Sequence, residues 1–215
     1  MTMTGCEKRL NGNVCKNETL LLNPNNKLKT LKINLTELND SILKINGITL
    51  NCAHPKKHEF NIVLHNLKIK VYLERNCCNC IRKDNPTVSI LVNNKGKVLI
   101  YNEKDTIIDF KKIPKWFKDN YLVKKQRSIV FKEIGLGWSD NITNKNLNNV
   151  IQKIVDGYLI CANKMSNDIY KKEICKLNTK ELSTIIKELP FELRLINFNS
   201  DKITLVEPNK LNNIQ

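Results

Sequence analysis

FNIVLHNLKIKVYL, residues 60–73, is the stretch that decides the fold class of this chain. Apolar residues alternate with other residues on both sides of His65-Asn66, as they do in a strand with one face on a core and the other in water. We therefore predict two antiparallel strands, 60–64 and 67–73, joined by a turn at His65-Asn66. The predicted solvent-facing residues are Asn61, Val63, Lys68 and Lys70.

More strand patterns lie on both sides of this hairpin. Upstream, SILKINGITLNC (41–52) contains Asn46-Gly47, a dipeptide typical of hairpin turns because both residues tolerate positive φ. We predict a second hairpin there. The segment GLGWSD (135–140) lacks the third glycine of a dinucleotide-binding fingerprint, and we interpret it as a turn. Further strands are predicted at 28–35, 88–92, 97–101, 107–110 and 128–134.

The hydrophobic pattern changes after Gly137. Apolar residues then recur at intervals of three and four, which predicts a helix over 144–162 with Thr143 as its N-cap. A second helix is predicted over 179–189, ended by Pro190, and a third over 166–176. The segments 191–198 and 203–206 flank a turn-rich connection, so we expect a C-terminal hairpin.

These patterns predict an α+β fold. The first two thirds should be rich in antiparallel hairpins, arranged like a sandwich or a barrel, because short, closely spaced strands favour that arrangement over a βαβ architecture. Two or three helices and a C-terminal hairpin follow. Residues 1–18 are polar and predict a flexible arm. Residues 19–215 then form one domain, with a soft division near 137–142.

The chain is strongly basic, with a net charge of +15 that suggests a polyanionic partner. It holds 31 Lys but only 5 Arg, together with 32 Asn and 25 Ile. A/T-rich codons supply these three enriched residues, so an A/T-rich genome explains part of the charge. No signal peptide or membrane-spanning segment is visible, which predicts an intracellular protein in the nucleus or cytoplasm, without a membrane partner.

Eight cysteines bear on metal binding and redox state. In an intracellular protein we expect them to be reduced thiols by default. Two loops separated by one hairpin bring soft ligands together, and a structural zinc ion is the cofactor they could hold. The alternative is that Cys52 ends a buried strand and that Cys77, Cys78 and Cys80 lie in an ordinary loop. The candidate zinc ligands are Cys52, His54, Cys77 and Cys80.

The motif NCCNC (76–80), followed by a strand-rich stretch and IPKW (113–116), is similar to the zinc-binding half of the HECT-like E2-binding proteins, a ubiquitin-pathway family. The similarity covers only part of the chain. A second pair of metal ligands after the tryptophan, which such a protein would carry, is absent here. We therefore do not assign the chain to that family.

The segment 104–132 is basic and aromatic, with nine Lys or Arg against three acids. Cations next to aromatic rings are typical of proteins that bind single-stranded nucleic acid. The alternative is that the aromatic residues anchor the segment to the sheet while the lysines stay in solvent. The candidate nucleic-acid-binding residues are Lys111, Lys112, Lys115, Trp116, Lys124, Lys125 and Arg127.

No recognisable catalytic motif is present, so we expect a non-enzymatic protein. The leading hypothesis is a subunit of an intracellular assembly that handles nucleic acid, with a basic surface on phosphate and a protein partner in the complex. The alternative is a protein-interaction adaptor without nucleic-acid contact, working in the ubiquitin pathway or on chromosomes. A third possibility is a small enzyme whose site is assembled from the His and Cys loops.

Overall fold

The computed structural model describes residues 14–196, apart from 26, 33, 49–56, 66, 74–86, 96, 102–105, 121–132 and 140. Within these residues the chain forms eight strands and five α-helices, which confirms the α+β class. The strands are β1 (Thr30–Leu31), β2 (His58–Leu64), β3 (Leu67–Leu73), β4 (Thr87–Val92), β5 (Lys97–Tyr101), β6 (Thr106–Asp109), β7 (Glu133–Trp138) and β8 (Leu193–Leu195). The helices are α1 (Lys16–Leu22), α2 (Asp40–Ile45), α3 (Ile113–Asn120), α4 (Asn144–Tyr170) and α5 (Thr179–Glu188), and short 3-10 turns cover Leu35–Glu37, Phe110–Lys112 and Ile174–Lys176.

All eight described strands belong to one open mixed sheet with the order β1-β2-β3-β8-β7-β4-β5-β6. The pair β2-β3 is antiparallel, as predicted, and so are β4-β5 and β5-β6. The pairs β3-β8, β8-β7 and β7-β4 at the centre of the sheet are parallel, and so is β1-β2 at its edge. The sheet is not closed into a barrel. The second strand of the predicted C-terminal hairpin, 203–206, lies outside the described residues.

The parallel pairing of β7 with β8 follows from the connection between these two strands. Helices α4 and α5 carry the chain across the sheet, and such a crossover lets two neighbouring strands run in the same direction. The expectation of antiparallel strands in place of a βαβ arrangement is therefore wrong for the centre of the sheet. The interpretation of 135–140 as a turn is also wrong, because 133–138 is strand β7. A Cβ atom at Gly135 would collide with Cδ1 at the end of the Ile196 side chain, so a larger residue there would force that side chain to move.

Asn46-Gly47 ends a helix and does not form a hairpin turn. Residues 40–45 are helix α2, and Gly47 has a φ of 76°. The Gly47 amide donates to the Lys44 carbonyl at 2.9 Å, and the Ile48 amide donates to the Leu43 carbonyl at 2.9 Å. These two bonds define a Schellman motif, which uses the same positive φ that a hairpin turn would use. The predicted hairpin at 41–52 is therefore wrong over its described residues.

The helical part follows the predicted boundaries more closely. Helix α4 begins after Thr143, whose hydroxyl accepts from the Asn146 amide, and it continues to Tyr170. It therefore takes in the first half of the third helix predicted over 166–176. Helix α5 starts after Asn178, where the Asn178 and Glu181 side chains each accept from the backbone amide of the other. This capping box was not part of the prediction.

One face of the sheet is apolar and shares a continuous core with the helices. Helix α4 lies at the centre of that core and contacts both α3 and α5. At Gly157, α4 approaches α3 so closely that a Cβ atom would lie 2.8 Å from Cγ of Phe117. The Cys161 thiol donates to the Phe117 carbonyl at 3.4 Å, one turn further along α4. Helix α3 therefore packs closely against the small residues Gly157 and Cys161 of α4.

A disulfide between Cys15 and Cys175 joins the start of α1 to the turn before α5. The expectation that these two cysteines are reduced thiols is therefore wrong for this structure. The Asn17 side chain donates to the carbonyls of Ile174 at 2.8 Å and Leu177 at 2.9 Å. Helix α1 begins at Lys16, inside the segment 1–18 that the sequence predicts as an arm.

Gly157→Ala should lower the free energy of unfolding, although alanine is worth about 1 kcal/mol more than glycine inside a helix. The added methyl group would overlap the Phe117 ring, and overpacking of a core costs about 1–3 kcal/mol. Chemical denaturation measures the change. In a Phe117→Ala background the contacts with Cγ and Cδ2 are removed and only the contact with Cβ remains, so the same substitution should cost less. A higher stability of Gly157→Ala alone would contradict the close contact.

Reduction of the disulfide should lower the free energy of unfolding by about 2–4 kcal/mol. The bond closes a long loop in the unfolded chain, and its cleavage lets the unfolded chain gain conformational entropy. The two cysteines are 160 residues apart. Urea unfolding with and without a reductant, in the presence of a metal chelator, measures the loss. The variant C15S/C175S should be less stable than the oxidised protein and insensitive to reductant. Equal midpoints for the oxidised and reduced protein would show that the bond does not constrain the chain.

Candidate functional site

The described part of the basic segment, 106–120, is strand β6 followed by a 3-10 turn that runs directly into α3. Asp109 caps this turn, since its carboxylate accepts from the Lys111 amide at 2.9 Å. Ile113, Trp116 and Phe117 are buried on the side that faces α4, and the Trp116 and Phe117 rings meet edge to face with centroids 5.6 Å apart. Trp116 is therefore a core residue, and its assignment as a nucleic-acid-stacking residue is not supported by its burial.

The exposed side of the same segment carries four lysines, beside the exposed Asp119 near the end of α3. We call Lys111, Lys112, Lys115 and Lys118 the lysine face; each of the four residues is exposed. Within the described residues, no carboxylate lies within ion-pair distance of these ammonium groups. The segment is therefore amphipathic: its described aromatic residues are anchored in the core and its lysines stay in solvent, as the alternative for 104–132 predicts. Lys118 was not among the candidate residues.

The remaining candidates cannot be placed. Lys124, Lys125 and Arg127 lie outside the described residues, and so do all four candidate zinc ligands, Cys52, His54, Cys77 and Cys80. The zinc site and the second half of the basic segment stay predictions. His58, which neighbours the proposed ligand loop, is the first residue of β2.

A second polar site, which the sequence did not predict, lies on the sheet face opposite the apolar core. Tyr72, Arg194, Gly135 and Ser89 stand side by side on β3, β8, β7 and β4. Nε of Arg194 lies 2.7 Å from a carboxylate oxygen of Glu133, and both side chains are largely buried. Burial, reinforced by the Glu133 carboxylate, raises the pKa of Tyr72 above its usual range. The Tyr72 hydroxyl therefore stays protonated at neutral pH.

Lys70 extends this polar site toward β2. The sequence pattern predicts Lys70 and Asn61 on the solvent face, but both are buried and stand opposite each other on β3 and β2. The Lys70 ammonium lies 3.1 Å from Glu192 and 3.2 Å from Glu59. Burial lowers the pKa of Lys70, but the two carboxylates together raise it by more, so its pKa lies above the usual value.

The charges of this polar site balance. Lys57 lies 3.7 Å from Glu192, and its ammonium stands 4.3 Å from the centroid of the Tyr72 ring, at cation–π distance. With Lys70 and Arg194 there are three cations, opposed by three carboxylates, Glu59, Glu133 and Glu192. Such a network stabilises one arrangement of β2, β3, β7 and β8. It has no excess charge to attract an ionic ligand, so we interpret it as structural.

The described cysteines fall into two classes. Cys161 is buried in α4, and burial raises the pKa of its thiol to about 12, so it is unreactive at neutral pH. Cys15 and Cys175 form the disulfide, and the Glu18 carboxylate lies beside them. Nothing in the sequence pairs Cys15 with Cys175, because no local spacing connects residues so far apart.

Lys70→Met should show how the polar site responds to pH. A lysine whose pKa is raised on folding contributes stability below its unfolded pKa, and this contribution is lost as the pH rises through the folded value. The stability difference between the natural protein and Lys70→Met should therefore be constant below about the usual lysine pKa of 10.5 and should shrink at higher pH. Urea unfolding between neutral and strongly alkaline pH measures this difference.

Lys68→Met is the matched control, because Lys68 lies two residues away in β3 and is exposed. Its stability difference from the natural protein should be small and should not vary with pH. A pH-independent difference for Lys70→Met would mean that the ion pairs to Glu59 and Glu192 do not stabilise the folded chain.

None of the described helices combines the length and apolar character needed to cross a membrane. Comparison of the chain with protein-family models, with curated proteins and with solved structures finds no match.

Proposed function

We propose that this protein is a non-enzymatic subunit of an assembly that handles nucleic acid, and that the lysine face contacts phosphate groups. The observation that carries the proposal is the combination of exposure and rigidity in one short segment. Four exposed ammonium groups have no carboxylate partner in the described part of the chain, while the other side of the segment is packed against α4. Lysine ammonium groups on a fixed support suit a repeating anionic polymer.

Electrostatics within the lysine face favour an anionic partner. Lys115 lies four residues after Lys111 and three before Lys118, so the three ammonium groups share one side of the segment. Like charges at these spacings cost about 0.2–0.5 kcal/mol per pair in an isolated helix. A bound phosphate would remove this repulsion, and the burial of Ile113 and Phe117 holds the segment in place while it is unbound.

The residue types indicate which kind of contact to expect. Lysine is a compact point charge, whereas arginine supplies the bidentate geometry that reads base edges. The described part of the basic segment, 106–120, contains no arginine, and its tryptophan is buried. We therefore propose contact with the phosphate backbone, with little sequence preference. Lys124, Lys125 and Arg127 continue the basic segment and are proposed to extend this contact.

A protein-interaction adaptor is the second candidate, and the sheet edge at β6 favours it. In the described residues β6 pairs only with β5, and the Ile107 side chain is 49% exposed there. An edge strand with an exposed apolar residue can accept a strand from another protein. Helix α4 is a poorer docking surface, because its apolar residues belong to the core.

The variant K111Q/K112Q/K115Q/K118Q should bind mixed-sequence single-stranded nucleic acid more weakly. Each lost phosphate contact removes about 0.7 from the slope of log affinity against log salt, so four contacts remove about 3. We expect the dissociation constant near 0.1 M salt to rise at least about tenfold. Fluorescence anisotropy with a labelled oligonucleotide between about 50 and 200 mM salt measures both quantities.

The matched control K44Q/K145Q/K180Q/K187Q removes the same charge from exposed lysines on α2, α4 and α5. It should retain most of the affinity and of the salt slope. Equal losses of affinity and salt slope in both variants would show that binding depends on net charge and not on the lysine face. Absent or salt-independent binding by the natural protein would reject the proposal, and a partner captured equally well after nuclease treatment would favour the adaptor.

A further inference from the structure

Cys15, Glu18 and Cys175 bring three metal-binding atoms together at the start of α1, away from the lysine face. The two sulfurs and a carboxylate oxygen all lie within 4.8 Å of one another. Glu18 is buried, Cys15 is half-buried and Cys175 is exposed, so the cluster opens to solvent on one side. One oxygen of Glu18 accepts from the Cys15 amide at 3.1 Å, which holds the carboxylate beside the sulfur of its own helix.

Contacts other than the disulfide hold this cluster in place. The Asn17 amide group bridges the carbonyls of Ile174 and Leu177, on both sides of Cys175. Leu21 and Leu22 bury the other end of α1 in the core. Cleavage of the sulfur–sulfur bond therefore removes one link among several. The two thiols that it produces should stay close to each other and to Glu18.

We propose that the reduced form of this cluster binds one divalent metal ion of the soft or borderline class, such as Zn²⁺, through Cys15, Cys175 and Glu18. Two thiolates and a carboxylate match the ligands that zinc prefers, and they disfavour Mg²⁺ and Ca²⁺. Two sulfurs bound to one zinc ion at about 2.3 Å stand about 3.8 Å apart, which requires only a small separation of the former disulfide partners. Water would fill the fourth position.

The same three residues would then have two exclusive states, a disulfide and a metal complex. A dithiol reductant supplies the two electrons for the change. One of its thiolates attacks a sulfur of the disulfide to form a mixed disulfide, and its second thiol displaces that sulfur, which leaves a cyclic disulfide and two protein thiols. The two thiol protons pass to solvent when the metal binds. This inference does not rest on the proposed nucleic-acid function.

Zinc content of the reduced full-length protein tests the proposal. The chain is reduced with a dithiol, separated from it without oxygen and mixed with Zn²⁺, and bound zinc per chain is measured by native mass spectrometry. Reduced natural protein should hold one more zinc equivalent than reduced C15S/C175S, and the oxidised natural protein should lack that equivalent. Zinc on the predicted ligands Cys52, His54, Cys77 and Cys80 contributes equally to both reduced samples and cancels in the difference.

Glu18→Gln keeps both thiols and should weaken zinc binding about tenfold in a competition with a chelating dye. It also provides an answer if C15S/C175S does not fold. Cys161→Ser is the matched control and should not change the zinc content, since Cys161 is buried away from the cluster. Equal zinc content in reduced natural protein and C15S/C175S would overturn the proposal. Unchanged zinc affinity in Glu18→Gln would also overturn it.

Discussion

Three residues, Leu193–Leu195, hold the two halves of the sheet together. Strand β8 pairs with β3 on one side and with β7 on the other, and in the described residues no other strand connects β1-β2-β3 to β7-β4-β5-β6. Both faces of β8 reinforce this position. Leu193 and Leu195 are completely buried in the apolar core, whereas Arg194 on the opposite face pairs with Glu133 of β7. Glu192, directly before the strand, binds Lys70 of β3.

Local patterns predicted the elements that depend on local physics. The β2-β3 hairpin, the Thr143 cap of α4 and the course of α5 follow from alternation, periodicity and capping, which act over a few residues. The order of the strands did not follow, because β8 is placed by residues more than fifty positions away. The hairpin turn predicted at Asn46-Gly47 is wrong for a different reason. A positive φ serves a hairpin turn and a helix C-terminus equally well, and only the neighbouring backbone distinguishes them.

The candidate sites show the same division. Three residues of the lysine face, Lys111, Lys112 and Lys115, could be predicted because they are close together in a basic stretch of sequence. Lys118 was missed, and Trp116, which the sequence groups with these cations, is buried. The polar site could not be predicted, because a lysine in an alternating strand normally faces water. Lys70 is buried only because Glu59 and Glu192 arrive from two other parts of the chain. The disulfide likewise joins residues that only the packing of α1 brings together.

The position of β8 along the chain also affects how the protein is made. Both halves of the sheet are complete once Trp138 has been synthesised, but the strand that joins them ends at Leu195. At about 5–20 residues per second, this interval lasts several seconds. During that time the inner edges of β3 and β7 have no partner strand, and unpaired edges can pair with other chains. Helices α4 and α5 are made within the same interval, so the nascent protein must protect two open edges until its last described strand emerges.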